Sequence, residues 1–150
     1  MSEDNGLNEF FLGWFRALEE GLEKLDTKEC SQLFTGCARR CAKDAVKYLY
    51  RDLFDECKGN LDQFFLRLSE KNGIDGRSIE TGRVYELIFY SCECPLKTDA
   101  GISSPHLCEC SKESMICVFK ELAGEREFSL EQIETILKGD NACHYRITFS

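Results

Sequence analysis

Apolar residues recur at three- and four-residue steps through the start of the chain, where Phe10, Phe11, Trp14, Leu18, Leu22 and Leu25 form one stripe over residues 7–25. Side chains at those spacings share one helical face, so the stripe predicts an amphipathic helix. Its opposite, solvated face carries Glu9, Arg16, Glu19, Glu20 and Glu23. So broad an apolar face is expected to be covered, within the fold in the first instance and otherwise in a seam between two chains. Lys28 to about Cys57 reads as a second helical stretch with room for a break. Asn60 with Gln63 resembles a capping box opening a third helix, and Leu61, Phe64, Phe65 and Leu68 line its inner face. Gly73 then supplies a stop.

Beyond Gly76 the period shortens. Ser78 to Glu80, Thr81-Gly82 and Arg83 to Cys92 read as a hairpin feeding a strand. Val84, Tyr85, Leu87, Ile88, Phe89 and Tyr90 make that strand apolar on both faces, which predicts cover on both. Pro95, Gly101, Ser103, Ser104 and Pro105 punctuate a loop over 95–107. Ser111 can cap a further helix with Met115, Val118, Phe119 and Leu122 inward and Gly124 at its end. Leu130, Ile133, Ile136 and Leu137 fit a helix face, yet Gly139-Asp140-Asn141 has the chemistry of a hairpin loop and favours strand-turn-strand. In the last strand Cys143, Tyr145, Ile147 and Phe149 point one way, and His144, Arg146, Thr148 and Ser150 the other. The expected fold class is α+β: N-terminal helices followed by an antiparallel sheet with a helix packed on it. One domain over 1–150 is expected, mainly helical to residue 75, with sheet plus one helix from 76.

Composition narrows the function classes. The 150 residues suit one hydrophobic core, and 19 basic against 27 acidic side chains leave a net charge of −8. Such a chain repels phosphate backbones, so nucleic acid is not an expected partner. The acidic start Met1-Ser2-Glu3-Asp4 does not resemble a secretory signal, and no apolar run approaches a membrane span, so a cytoplasmic protein without a membrane partner is expected. In a reducing compartment the ten cysteines read as metal ligands, reactive thiols or core residues before disulfides.

Their positions matter more than their number. Cys30, Cys37 and Cys41 fall within about 40° of one another on a helix. Cys37 and Cys41, one turn apart, can reach one metal, although small buried thiols also pack well as hydrophobes. Cys92-Glu93-Cys94 and Cys108-Glu109-Cys110 would each present two sulfurs together if extended, at the two ends of the loop Pro95 to Leu107. His106 shares that spacing. Zinc takes four tetrahedral nitrogen or sulfur ligands, so this set admits either a metal or reactive-thiol site or buried structural thiols. Nucleotide-loop, nucleophile-elbow and histidine-metalloprotease motifs are absent. His144 reads as a surface residue.

The order of three segments resembles a known group. Cys92-Glu93-Cys94-Pro95-Leu96, then Ser104-Pro105-His106-Leu107-Cys108-Glu109-Cys110-Ser111, then Ile136 to Ile147 with Gly139-Asp140-Asn141-Ala142-Cys143-His144-Tyr145-Arg146 resemble L-2-amino-thiazoline-4-carboxylic acid hydrolase-like proteins and, more distantly, 4-vinyl reductase domains. Gly36-Cys37-Ala38-Arg39-Arg40-Cys41-Ala42 is similar to a helix that precedes the sheet there, so the resemblance spans roughly 36–149. It implies an α+β fold around a small-ligand pocket and makes the segment before Gly139 a strand. The leading expectation is a small-ligand-binding domain with a cysteine-lined pocket. Cys37, Cys41, Cys108 and Cys110 are its metal candidates, zinc its expected ion, and Cys92, Cys94 and His106 its ligand-binding candidates. The alternatives are a hydrolase opening a small heterocycle or amide, and a cysteine-rich domain that only binds a partner, with a homodimer among the assemblies to expect.

Overall fold

Asp26 and Glu29 close a capping box, each backbone N–H donating to the other residue's carboxylate at 2.8 Å. This pair satisfies N–H groups that a helix start otherwise leaves orphaned. The computed structural model describes residues 2–150, with side chains from Asn8 onward. Helix α1 (Ser2–Leu22) comes before this cap and helix α2 (Thr27–Ala45) follows it. A π-helical turn at Val46–Tyr50 then passes into α3 (Arg51–Glu56), which is the break expected between Lys28 and Cys57. Asn60 caps α4 (Leu61–Leu68) by accepting from the Gln63 N–H at 3.0 Å.

Strands β1 (Ile74–Glu80) and β2 (Val84–Phe89) form the expected hairpin. A single turn, α5 (Pro95–Thr98), interrupts the loop, and α6 (Leu107–Ala123) begins earlier than Ser111. Strand β3 (Phe128–Glu134), a 3₁₀ turn at Ile136–Lys138 and β4 (Cys143–Phe149) complete the chain. Gly139 adopts φ +101° in the turn, a left-handed conformation that favours glycine. The four strands are antiparallel in the order β1-β2-β4-β3, and the helices make this an α+β fold.

One sheet face holds the main core. Tyr85 and Leu87 from β2 and Tyr145, Ile147 and Phe149 from β4 meet Phe65 of α4 and Phe119 of α6. Phe65 stacks on Tyr85 with ring centroids 4.4 Å apart and on Phe119 at 5.7 Å. Gly76 lets β1 approach α4, since a Cβ there would stand 2.1 Å from the Phe65 carbonyl oxygen. The expected alternation of β4 holds, with its aromatic and aliphatic residues inward. The outer face is a charge ladder, because Glu86 lies opposite both Arg77 of β1 and Arg146 of β4, and Arg146 opposite Glu131 of β3.

A second cluster of Leu22, Cys30, Phe34, Ile102 and Leu107 joins the ends of α1, α2 and α6. Here the expectation for α1 is corrected. Leu22 is buried and Phe15 half-buried, but Phe10, Phe11, Trp14 and Leu18 are 67, 49, 55 and 37% exposed. Helix α1 meets the fold mainly near its C-terminal end, where the Ser103 N–H donates to Glu19 at 2.9 Å. The apolar stripe is wider than the surface its own chain offers. Among the described residues no helix is long and apolar enough to cross a membrane.

Candidate functional site

The start of α6 decides where the thiols go. Pro105 fixes φ for an entering turn, and the Leu107, Cys108 and Glu109 N–H groups donate to Ser104, Pro105 and His106 carbonyls. Leu107 and Cys108 also fit the inward period of Met115, Val118, Phe119 and Leu122. Cys108-Glu109-Cys110 is therefore helical, not extended. Residues two apart on a helix diverge by about 200°, so Cys108 and Cys110 are not presented together.

Cys110, half-buried, turns towards α2, which packs along α6. Burial, then the charges that Cys37, Cys41 and Cys94 would carry, push its thiol up to about 12. Cys37 and Cys41 are exposed on α2, and Cys94 precedes α5 half-buried, with its thiol raised by burial. Cys108 is buried and turns towards the sheet. Its thiol is raised by burial and by Cys143 and Cys92. Cys143 is half-buried against the main core, its thiol raised by burial and by Cys92. Thus Cys110 feels Cys37, Cys41 and Cys94, and Cys108 feels Cys143 and Cys92, on two different sides of α6.

His106 is not among either group. Its Nδ1 lies 3.3 Å from the Cys30 Sγ, and its Nε2 lies 4.0 Å from a Glu23 carboxylate oxygen. Cys30 has no exposed surface. Burial and the carboxylates of Glu109, Asp26, Glu29 and Glu23 raise its thiol. Such an environment holds the sulfur protonated. Sequence reasoning placed Cys30 with Cys37 and Cys41 and missed this pair, for which the spacing gives no signal.

His144 is corrected as well. Its side chain is 16% exposed and its Nε2 lies 3.1 Å from a Glu86 oxygen, while Arg146 donates to the same carboxylate at 2.8 Å. Burial alone would raise the Glu86 carboxyl, but the Arg146 and His144 contacts hold it below its ordinary value. Glu86, buried amid the apolar run of β2, is the anchor of this group.

Among the described residues, no three His, Cys, Asp or Glu side chains stand together as a ready metal cage. The two concavities of note, of about 510 and 300 Å³, lie elsewhere. The larger is bordered by Arg83, Lys120, Arg126 and Phe149, the smaller by Asp62, Gln63 and Ser78, and neither contains a cysteine.

No protein-family model matches the chain and no curated protein matches it in sequence, so the likeness to the hydrolase-like group and to 4-vinyl reductase domains stays a resemblance. Solved structures align with it along most of its length. A trafficking protein particle complex subunit 3 from Naegleria fowleri, covalently bound to palmitic acid, is 10% identical over 97% of this chain and 96% of that one, with a TM-score of 0.44. An H-NOX protein from S. oneidensis in the Fe(II)NO state is 14% identical over 93% and 73%, with a TM-score of 0.42. A mutant H-NOX from T. Tengcongensis is 12% identical over 97% and 96%, with a TM-score of 0.43. Likenesses of this extent assign no ligand to this chain.

Proposed function

We propose that this chain is a small-ligand-binding domain whose ligand is a thiophilic metal ion, zinc before others, held by Cys37, Cys41, Cys94 and Cys110. The observation that carries the reading is that Cys110 of α6 lies near enough to Cys37 and Cys41 of α2 and to Cys94 before α5 for the charges they would carry to raise its thiol. Thiolates are soft donors, and four of them match the tetrahedral preference of zinc. Cys94 takes the place first expected for Cys108, which the α6 helix turns to the other side. Cys37 and Cys41 are exposed, which leaves their side chains free to change rotamer on binding. Cys92, Cys108 and Cys143 then form a thiol wall behind it.

Protein purified without chelator should retain about one zinc per chain, and cadmium added to metal-free protein should give thiolate-to-metal charge-transfer absorption. The double variant Cys37→Ser/Cys41→Ser should lose both. Metal-free preparations with no cadmium absorption would overturn the reading and leave these thiols as packing groups.

A second reading has its own observation in the 3.3 Å approach of Cys30 to His106, with Glu23 on the far side of the ring. A thiol, an imidazole and an acid in that order are the parts of a hydrolytic nucleophile. Against it stand the complete burial of Cys30 and its raised thiol. Hydrolysis of a small cyclic amide that disappears in both Cys30→Ala and His106→Ala would favour this reading over metal binding.

A further inference from the structure

We propose that the C-terminal end of α1 is a lid over the Cys30–His106 pair, and that its release opens this pair to a small uncharged electrophile. The proposal deepens the second reading above, of which it needs the pair and not the hydrolysis.

The pair sits under that end of the helix. His106 presents Nδ1 to the Cys30 Sγ at 3.3 Å and turns Nε2 towards Glu23, just beyond α1, at 4.0 Å. Leu22, the last residue of α1, is buried in one cluster with Cys30, Phe34, Ile102 and Leu107. Cys30 has no exposed surface in this arrangement, so no reagent reaches its sulfur while α1 is seated.

Little else holds α1 down. Among the described residues it packs along no other helix or strand. Phe15 and Leu22 are its apolar anchors, and its polar tie is at the same end, where the Ser103 N–H and hydroxyl donate to Glu19 at 2.9 and 3.2 Å. Phe10, Phe11 and Trp14, further back, are exposed and give no anchorage. The pair itself belongs to firmer structure, since α2 carries Cys30, His106 opens α6, and these two helices pack along each other. A helix held so lightly opens by itself, at a lower cost than the elements beneath it.

Release changes the chemistry as well as the access. Burial is the chief cause of the raised Cys30 thiol, and Glu23 adds to it. Both weaken when α1 lifts, while His106 stays in reach as the proton acceptor. In the step itself the sulfur bonds to carbon, the leaving group departs with the electrons of the bond that breaks, and the thiol proton passes to His106 Nδ1. Phe34, Ile102 and Leu107 wall the opened cleft, and the Asp26, Glu29 and Glu109 carboxylates stand near the sulfur. Apolar walls with negative charge around them disfavour an anion and suit an uncharged reagent.

The test is alkylation of the full chain, read at each cysteine by mass spectrometry of digests. In urea below the unfolding transition, Cys30 should react with iodoacetamide at a rate nearly independent of urea, while buried Cys108 should speed up steeply. Glu19→Ala removes the Ser103 bonds and leaves the cluster around Cys30 intact, and should speed Cys30 by about tenfold with Cys108 unchanged. Iodoacetate, the anionic counterpart, should lag iodoacetamide at Cys30 by a larger factor than at exposed Cys37. Equal lags at the two sites would overturn the choice of an uncharged ligand. Cys30 reacting only in step with Cys108, in parent and Glu19→Ala alike, would overturn the lid. Labelling reads the lid whether or not the pair hydrolyses anything, so the two proposals fail separately.

Discussion

Cys108 and Cys110 sit two residues apart on one helical turn yet look into different surroundings, Cys108 towards Cys143 and Cys92, Cys110 towards Cys37, Cys41 and Cys94. Helix α6 acts as a partition. It divides what would be one Cys-x-Cys clamp in extended chain between two surroundings, one on the side of the exposed Cys37 and Cys41 and one where Cys108 is buried and Cys143 and Cys92 are half-buried.

Alkylation should read this partition directly. In metal-free native protein, a maleimide should label Cys37 and Cys41 first and Cys30, Cys57 and Cys108 last, in line with their exposure. Buried, protonated thiols should react at least ~10-fold more slowly, as followed by mass spectrometry of digests. Cys143, half-buried with its thiol raised, should fall among the slow group. Fast labelling of Cys108 would mean that α6 is turned differently.

Gly76→Ala should be among the most damaging single substitutions. The new methyl group would meet the Phe65 backbone carbonyl at 2.1 Å, and a helix backbone cannot rotate away as a side chain can. A loss of about 3 kcal/mol is expected in urea melts. Gly82→Ala in the hairpin turn, where no atom lies within 4 Å of the new Cβ, should cost less, through its φ of +76° alone.

Glu86→Ala should cost about 2 kcal/mol at neutral pH, because it removes from a buried site a charged acceptor of Arg146 that also lies 3.1 Å from His144. The sign of the pH effect follows from its lowered carboxyl. The folded form releases the proton more readily than the unfolded chain, so the stabilisation is complete above the ordinary glutamate value of 4.5 and is lost as pH falls through the lower folded value. Below that range the variant and parent should converge in thermal midpoint.

Asp62 ties α4 to the β1–β2 hairpin. Its carboxylate accepts from the Ser78 hydroxyl at 2.9 Å, the Tyr85 hydroxyl at 3.1 Å and the Gly82 N–H at 3.2 Å. Burial would raise this carboxyl, but those donors hold it below its ordinary value, and burial together with Asp62 pushes the Tyr85 hydroxyl up to about 12. Asp62→Ala should destabilise by about 1–2 kcal/mol and speed amide exchange at Gly82 ahead of the rest of the sheet.

The chain's local order was legible in its sequence. The period of Leu61, Phe64, Phe65 and Leu68, the Asn60 cap, the alternation of β4 and the turn at Gly139 each depend on residues a few positions apart, and each appears in the fold. Periodicity also placed Glu86 within an apolar strand, but not the arginine and histidine that make its burial tolerable. The site depended on more distant matters. The extended reading of Cys108-Glu109-Cys110 gave way because the inward period of α6 reaches back to Leu107, whose burial is set by Leu22, Phe34 and Ile102 from other elements. The exposure of Trp14 could not be read from its stripe, since a helical period states which side is apolar and not how much surface waits to cover it. The partner of His106 lies 76 residues away at Cys30. Spacing along the chain fixes which side chains share a face, whereas which faces meet is decided by the packing of elements remote in sequence, and there only the tertiary structure decides.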